Sequence, residues 1–193
     1  MSTVKILAFA GSTRTDSFNK KLVRIAAEGA RAAGAEVTLI DLRDFPMPLF
    51  DGDLEASSGL PENAKKIKHL MISHHGFLIS SPEYNSSISG VLKNTIDWAS
   101  REETDDEPPL VAYRGKTVAL VSASPGALGG LRGLVTVRSI LGNIGCFVLP
   151  EQISIPKAYE AFDEAGALKD AARQKSVTEL GRKFVEFTGR LAG

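Results

Sequence analysis

Ser12, Arg14, Ser17 and Asn19 lie close together in the stretch Ala10 to Asn19 and together suit a phosphate. Hydroxyls, an amide and a guanidinium can each donate to phosphate oxygens. The stretch follows a short apolar run, Val4 to Ala10, that reads as a buried strand, and it precedes a helix-period run starting near Asn19. A helix N-terminus adds unpaired N–H groups and the positive end of a dipole. Gly11 is the only glycine there, which excludes the dinucleotide fingerprint, and no Gly-Lys-Ser/Thr follows, which excludes a P-loop. A hydroxyl-rich cradle with one Arg suits a terminal phosphate monoester. The same residue types also serve as turn and N-cap residues.

Two further loops carry candidate residues. Pro82, Glu83, Tyr84 and Asn85 follow a strand-like run and precede a helix-period run. Ser122 to Gly130, with Ser124 and Gly126, is the most glycine-rich stretch of the chain, and its glycines allow close backbone approach. Gly129 and Gly130 fit a ligand-facing loop or a flexible turn. Arg101 follows a helix end, where it suits either a substrate entrance or a cation completing the helix dipole. His69 falls in a helix and His74-His75 in a turn, without a third ligand at metal spacing, so surface histidines are expected and no metal. Cys146, the single cysteine, sits among Ile144, Phe147, Val148 and Leu149 and reads as a buried small hydrophobe.

The elements that must position these loops follow from periodicity. Val4 to Ala10, Glu36 to Ile40, Phe77 to Ser81, Thr117 to Val121 and a run beginning at Phe147 read as strands. Helical spacing recurs through Leu22 to Ala33, through Ala64 to Met71 after Pro61, through Val91 to Ala99, through Leu131 to Leu141 and through Val177 to Leu191. Arg43 to Gly59 has no clear period and holds Pro46, Pro48, Gly52 and Gly59, so a long loop is expected. Its Phe45, Met47, Leu49 and Phe50 should pack on the domain or on a partner subunit. The charged run Arg101 to Glu107 reads as a solvated loop. Five strands alternating with five helices imply a parallel sheet covered on both faces.

The chain has 193 residues, enough for a single domain over 1–193 that buries roughly 70% of its unfolded surface. Lys and Arg number 23, as do Asp and Glu, so no net charge points to nucleic acid or an anionic membrane. No apolar run approaches membrane-spanning length and no leader pattern opens the chain, so a cytoplasmic location is expected.

The motif Gly-Ser-x-Arg-x-x-Ser-x-Asn resembles the flavin phosphate loop of the NADPH-dependent FMN reductase family, which includes quinone and chromate reductases. The resemblance extends through Ser81 to Asn85, Leu92 to Trp98 and Ser122 to Gly126, in family order. It implies a flavodoxin-like α/β sandwich with a five-stranded parallel sheet in the order 2-1-3-4-5, and ligands at the switch point between strands one and three. It further implies FMN held by Gly11, Ser12, Arg14, Ser17, Asn19, Pro82, Glu83, Tyr84, Asn85, Ser122, Ser124 and Gly126. NADPH or NADH would be the electron donor, quinones or metal oxyanions the acceptors, and a homodimer or homotetramer the assembly. Flavin-centred chemistry requires no catalytic acid or base. The competing reading is a flavodoxin-like electron carrier. Such carriers are usually strongly acidic, unlike this chain.

Overall fold

The computed structural model describes residues 3–192. Its centre is a parallel sheet built from β1 (Lys5–Ala10), β2 (Glu36–Asp41), β3 (Gly76–Ser80), β4 (Thr117–Ala123) and β5 (Phe147–Ile155), in the order β2-β1-β3-β4-β5. β3 and β4 are buried at every residue and β1 at all but Lys5, whereas the edge strand β2 is half-covered. That explains why the central strands are nearly continuous apolar runs and β2 is not.

Alternate residues of each strand feed two separate cores. Ile6, Ala8, Leu78 and Val121 face α1 (Phe18–Ala32) and α7 (Ala171–Ala192). Leu7, Phe9, Ile79 and Leu120 face α3 (Glu62–Ser73), α4 (Gly90–Ala99) and α5 (Leu131–Asn143). Two glycines let α1 and α7 touch backbone to backbone. A Cβ on Gly29 would stand 1.9 Å from Thr178 O, and one on Gly181 would stand 2.0 Å from Ala26 O.

Four expectations need correction. Arg43 to Gly59 is not all loop. A 3-10 turn covers Leu42–Asp44, and α2 occupies Gly52–Ser58. The Asp51 carboxylate caps the N–H groups of Asp53 and Leu54, and Gly59 at φ 69° ends the helix. α2 is too short to show a period, and none of its residues is buried. Phe45 and Met47 do pack on the core and Phe50 meets the edge of Trp98, while Leu49 is 79% exposed. Asn94 and Trp98 both donate to Pro48 O at 2.9 Å, pinning this segment to α4. A further short helix, α6 (Ala158–Ala161), follows β5, so five helices become seven among the described residues.

The charged run is not simply solvated either. Lys68 is buried on α3, and its ammonium reaches Glu107 Oε2 at 2.5 Å and Arg101 O at 2.6 Å. Glu107 and Glu103 therefore turn inward, because a buried ammonium requires counter-charge. His74 is buried rather than a surface residue, with ring nitrogens 2.6 Å from Leu70 O and 2.8 Å from Thr38 Oγ1. Burial holds its pKa below the usual imidazole value. Cys146 is buried as expected, and burial pushes its thiol up to about 12.

Candidate active site

The strand order diverges between β1 and β3, because the chain leaves β1 toward β2 and leaves β3 toward β4. Three loops meet at the carboxyl ends of β1, β3 and β4. Gly11 brings the first against the second. Its N–H donates to Ser80 O at 2.9 Å, and its carbonyl accepts from Ser89 Oγ at 2.6 Å. A Cβ there would stand 2.9 Å from Leu92 Cβ, so α4 approaches this closely only because residue 11 is glycine.

Ser17 is the N-cap of α1, yet its hydroxyl makes no capping bond; only its carbonyl joins the helix, accepting from Lys20 and Lys21. The first turn carries no acid. Asp16, just outside it, is paired with Lys21 at 2.7 Å, and that contact holds its carboxyl below the usual range. Ser12 is buried, with its Oγ accepting from Arg14 N at 3.3 Å. The Arg14 guanidinium stands 6.0 Å from the centre of the Phe18 ring, which stacks on Phe162 at 5.9 Å. A hydroxyl, a cation and helix-terminal N–H groups thus converge without a free carboxylate between them, which is an anion-binding arrangement.

Asn19, Ser122 and Glu83 have other work than the ligand contacts expected of them. The Asn19 amide is spent inside the protein: Nδ2 donates to Ala123 O at 2.8 Å, and Oδ1 accepts from Ala123 N at 3.0 Å and Ser80 Oγ at 2.8 Å. It clamps α1 to the ends of β3 and β4. Ser122 is fully buried and donates to Ser81 O at 2.6 Å. The Glu83 carboxylate accepts from Arg132 Nε at 2.9 Å, Arg132 Nη2 at 2.6 Å and Gly133 N at 3.1 Å. Burial alone would raise its pKa, but the Gly133 N–H and Arg132 outweigh burial and hold it below the usual carboxylate range. The N-cap of α5 is Gly130, which has no side chain to offer, so Glu83 caps that helix from a neighbouring loop.

Tyr84 and Ser87 exchange backbone hydrogen bonds of 2.9 and 3.0 Å across Asn85 and Ser86, at φ 50° and 66°. Two successive left-handed residues make this a type I′ turn. Tyr84 at its base is half-exposed. A hollow of about 50 Å³ lies among the three loops, lined by Ser12, Arg14, Ser17 and Asn19, by Pro82, Glu83 and Tyr84, and by Ser124 and Pro125. Gly11, Asn85, Ser122 and Gly126 do not line it. Gly11 and Ser122 are buried, Asn85 occupies the turn tip, and Gly126 N donates to Ser124 Oγ at 3.4 Å.

Arg101 stands apart from this hollow. Its Nε donates to Glu55 on α2 at 2.7 Å, and its guanidinium lies 5.7 Å from the Phe50 ring centre. Phe18 and Arg132 are residues that motif reasoning overlooked. Phe18 was visible as the aromatic between Ser17 and Asn19, but nothing in the sequence marks Arg132 as the partner of Glu83. Among the described residues, no group of His, Cys, Asp and Glu is placed to hold a metal.

Residues 4–160 match the family model described as NADPH-dependent FMN reductase. The chain is 31% identical over 191 residues to an NAD(P)H-dependent FMN reductase of Pseudomonas aeruginosa, covering 98% of each. It is 32% identical over 190 residues to a quinone reductase of Escherichia coli, covering 97% of each. Among solved structures it resembles a flavoenzyme NAD(P)H:(acceptor) oxidoreductase of Paracoccus denitrificans, with a TM-score of 0.78 and 25% identity over 97% of this chain and 98% of that one. The divergent sheet, the hydroxyl- and Arg-bearing first loop and these matches agree: the chain belongs to the NADPH-dependent FMN reductase family, oxidoreductases on a flavodoxin-like scaffold.

Proposed function

We propose that this protein passes electrons from NAD(P)H through bound FMN to quinones, with metal oxyanions such as chromate as further acceptors. The observation that carries the reading is the donor set of the first loop: the Ser17 hydroxyl left unused by its own helix, beside Ser12 and Arg14 and a first turn without acids. Its residues fit a phosphate monoester. At about 50 Å³ the hollow suits the phosphoryl end of FMN and not the whole molecule. Relatives named quinone reductase support quinones as acceptors.

Bound FMN would supply the hydride chemistry between the nicotinamide donor and the acceptor. The protein's residues bind and position. Arg14, Ser12 and Ser17 would hold the phosphate. Asn19 fixes α1 against β3 and β4, so that the helix terminus faces the hollow. Glu83 with Arg132 locks the second loop to the third, and so fixes the turn that presents Tyr84 and Asn85. Pro82 and Ser124 complete the lining of the hollow. Arg101 is committed to Glu55 and is left out of the site.

The chain acts as one FMN-binding domain, in the cytoplasm, as a homodimer or homotetramer. The exposed side chains of Leu128, Leu131 and Val135, near the third loop, support a subunit contact there. No helix among the described residues is long and apolar enough to cross a membrane.

Denatured protein should release FMN, and steady-state kinetics with NAD(P)H and a quinone should give parallel double-reciprocal lines. Recovery of FAD alone, or no flavin after reconstitution, overturns the cofactor; no NAD(P)H oxidation with any quinone overturns the activity. Light scattering at micromolar concentration tests the assembly, and a monomer contradicts it.

A further inference from the structure

The phosphate hollow is not alone beside the third loop. A cavity of about 400 Å³ opens on the other flank of the third loop, between that loop, the β5–α6 connection and the start of α7. Ala127 lines this cavity, while Ser124 and Pro125, three and two residues earlier, line the hollow. The two sites share one loop as their common wall. Its volume falls in the range of sites for small organic ligands.

The lining divides by chemistry. Leu168 and Ala161, with Pro156, supply an apolar floor, and Lys157, Lys169 and Arg173 supply cations. Arg173 is paired with Asp170 at 3.5 Å, and Asp170 also caps the N–H groups of Ala172 and Arg173. Among the described residues, Lys157 and Lys169 have no acid within ion-pair distance; Glu160 is the remaining acid of the lining. Lys157 is also one of the few non-glycine residues in the left-handed region, at φ 48° and ψ 47°. Such a conformation in a side chain other than Gly or Asn costs energy and tends to persist where a function requires it. It is held by the third loop itself: Lys157 N donates to Gly126 O at 3.3 Å, and Ala158 N donates to Ser124 O at 3.1 Å.

We propose that this cavity binds the phosphorylated adenosine end of the nucleotide donor, with the base on the Leu168 and Ala161 floor and a phosphate at Lys157 and Lys169. The inference rests on the NAD(P)H-dependent reading above. A donor that must reach the flavin beside the third loop needs an anchor for its remote end, and this cavity is the apolar, cation-rimmed one against that loop. The open rim accounts for easy departure of the oxidised nucleotide, because exposed lysine contacts are weak and screened by salt.

The test compares the FMN-loaded wild type with a Lys157→Ala, Lys169→Ala double variant and its Lys157→Arg, Lys169→Arg counterpart. Adenosine 2′,5′-bisphosphate and inorganic phosphate are titrated calorimetrically, and the Michaelis constants for NADPH and NADH are measured. The bisphosphate should bind the wild type and inhibit competitively against NADPH. The alanine variant should weaken both that binding and the NADPH Michaelis constant by about tenfold, and arginine should largely restore them. A rise for NADPH alone places the 2′-phosphate at the lysines, and equal rises for both donors place the diphosphate there. Bisphosphate that fails to bind the wild type, or binds the alanine variant equally well, overturns the proposal. So does inorganic phosphate binding as tightly as the bisphosphate. If the wild type oxidises neither nucleotide, the electron-transfer reading falls, while the titrations still decide the cavity.

Discussion

Replacing Glu83 separates bracing from ligand contact. Its side chain is 7% exposed, and it accepts three hydrogen bonds, two from Arg132 and one from Gly133 N. The Arg132 side chain is 58% exposed, so that ion pair contributes no more than about 1 kcal/mol. The Gly133 N–H belongs to the first turn of a helix whose own cap, Gly130, offers nothing in exchange. Losing a helix cap costs about 1 kcal/mol, and removing the charge beside the helix dipole costs some tenths more. Glu83→Ala should therefore destabilise the protein by about 2 kcal/mol, roughly 4–8 °C in Tm for a domain of this size. Glu83→Gln keeps an acceptor for Gly133 N and should lose about half of that. The pH dependence has a definite sign. The folded carboxyl has a pKa below 4.5, so its stabilisation is complete above the unfolded value and disappears as pH falls through the folded one. The stability gap between wild type and Glu83→Gln should hold at pH 7 and close below about pH 4. Urea titrations of the FMN-loaded protein across this range provide the assay. A variant with unchanged stability but strongly weakened FMN would show that Glu83 contacts the cofactor and is no brace.

Arg14→Ala should weaken FMN affinity about tenfold or more by fluorescence titration, whereas Thr13→Ala should change it little, because only Arg14 lines the hollow. Asn19→Ala removes three buried hydrogen bonds and should cost about 3 kcal/mol in urea unfolding; Asn19→Asp should also destabilise, since its second oxygen would face Ala123 O. Burial lowers the His74 pKa below 6.5, so the unfolded chain binds the proton more readily and wild-type stability should fall as pH drops below about 6.5, a slope that His74→Gln should flatten. Lys68→Met leaves the inward-turned Glu107 and Glu103 without their cation and should lose about 3–5 kcal/mol in chemical denaturation, more than an exposed Lys65→Met.

The sequence by itself determined the main strands and helices and which polar residues share the first loop. Apolar runs in the central strands and 3.6-residue periods in the long helices are local patterns, and burial on two sheet faces leaves them little freedom. Ser12, Arg14 and Ser17 were legible because strand, turn and helix N-terminus are consecutive, so nearness in sequence became nearness in space. The short α2 was not legible, since seven residues show no period and its Asp51 cap looks like any loop aspartate. What only the tertiary structure decided is which polar groups still have hydrogen-bonding capacity for a ligand. Asn19 is claimed by Ala123, 104 residues away along the chain, Ser122 by Ser81, 41 residues away, and Glu83 by Arg132, 49 residues away. Each looked like a ligand contact because its type and loop were right. A side chain has only a few donors and acceptors, and in a buried site these must be satisfied from whatever the fold brings near. Sheet order brings the ends of β1, β3 and β4 together, and that convergence, not the local motif, separates the side chains bonded within the protein from those left facing the hollow.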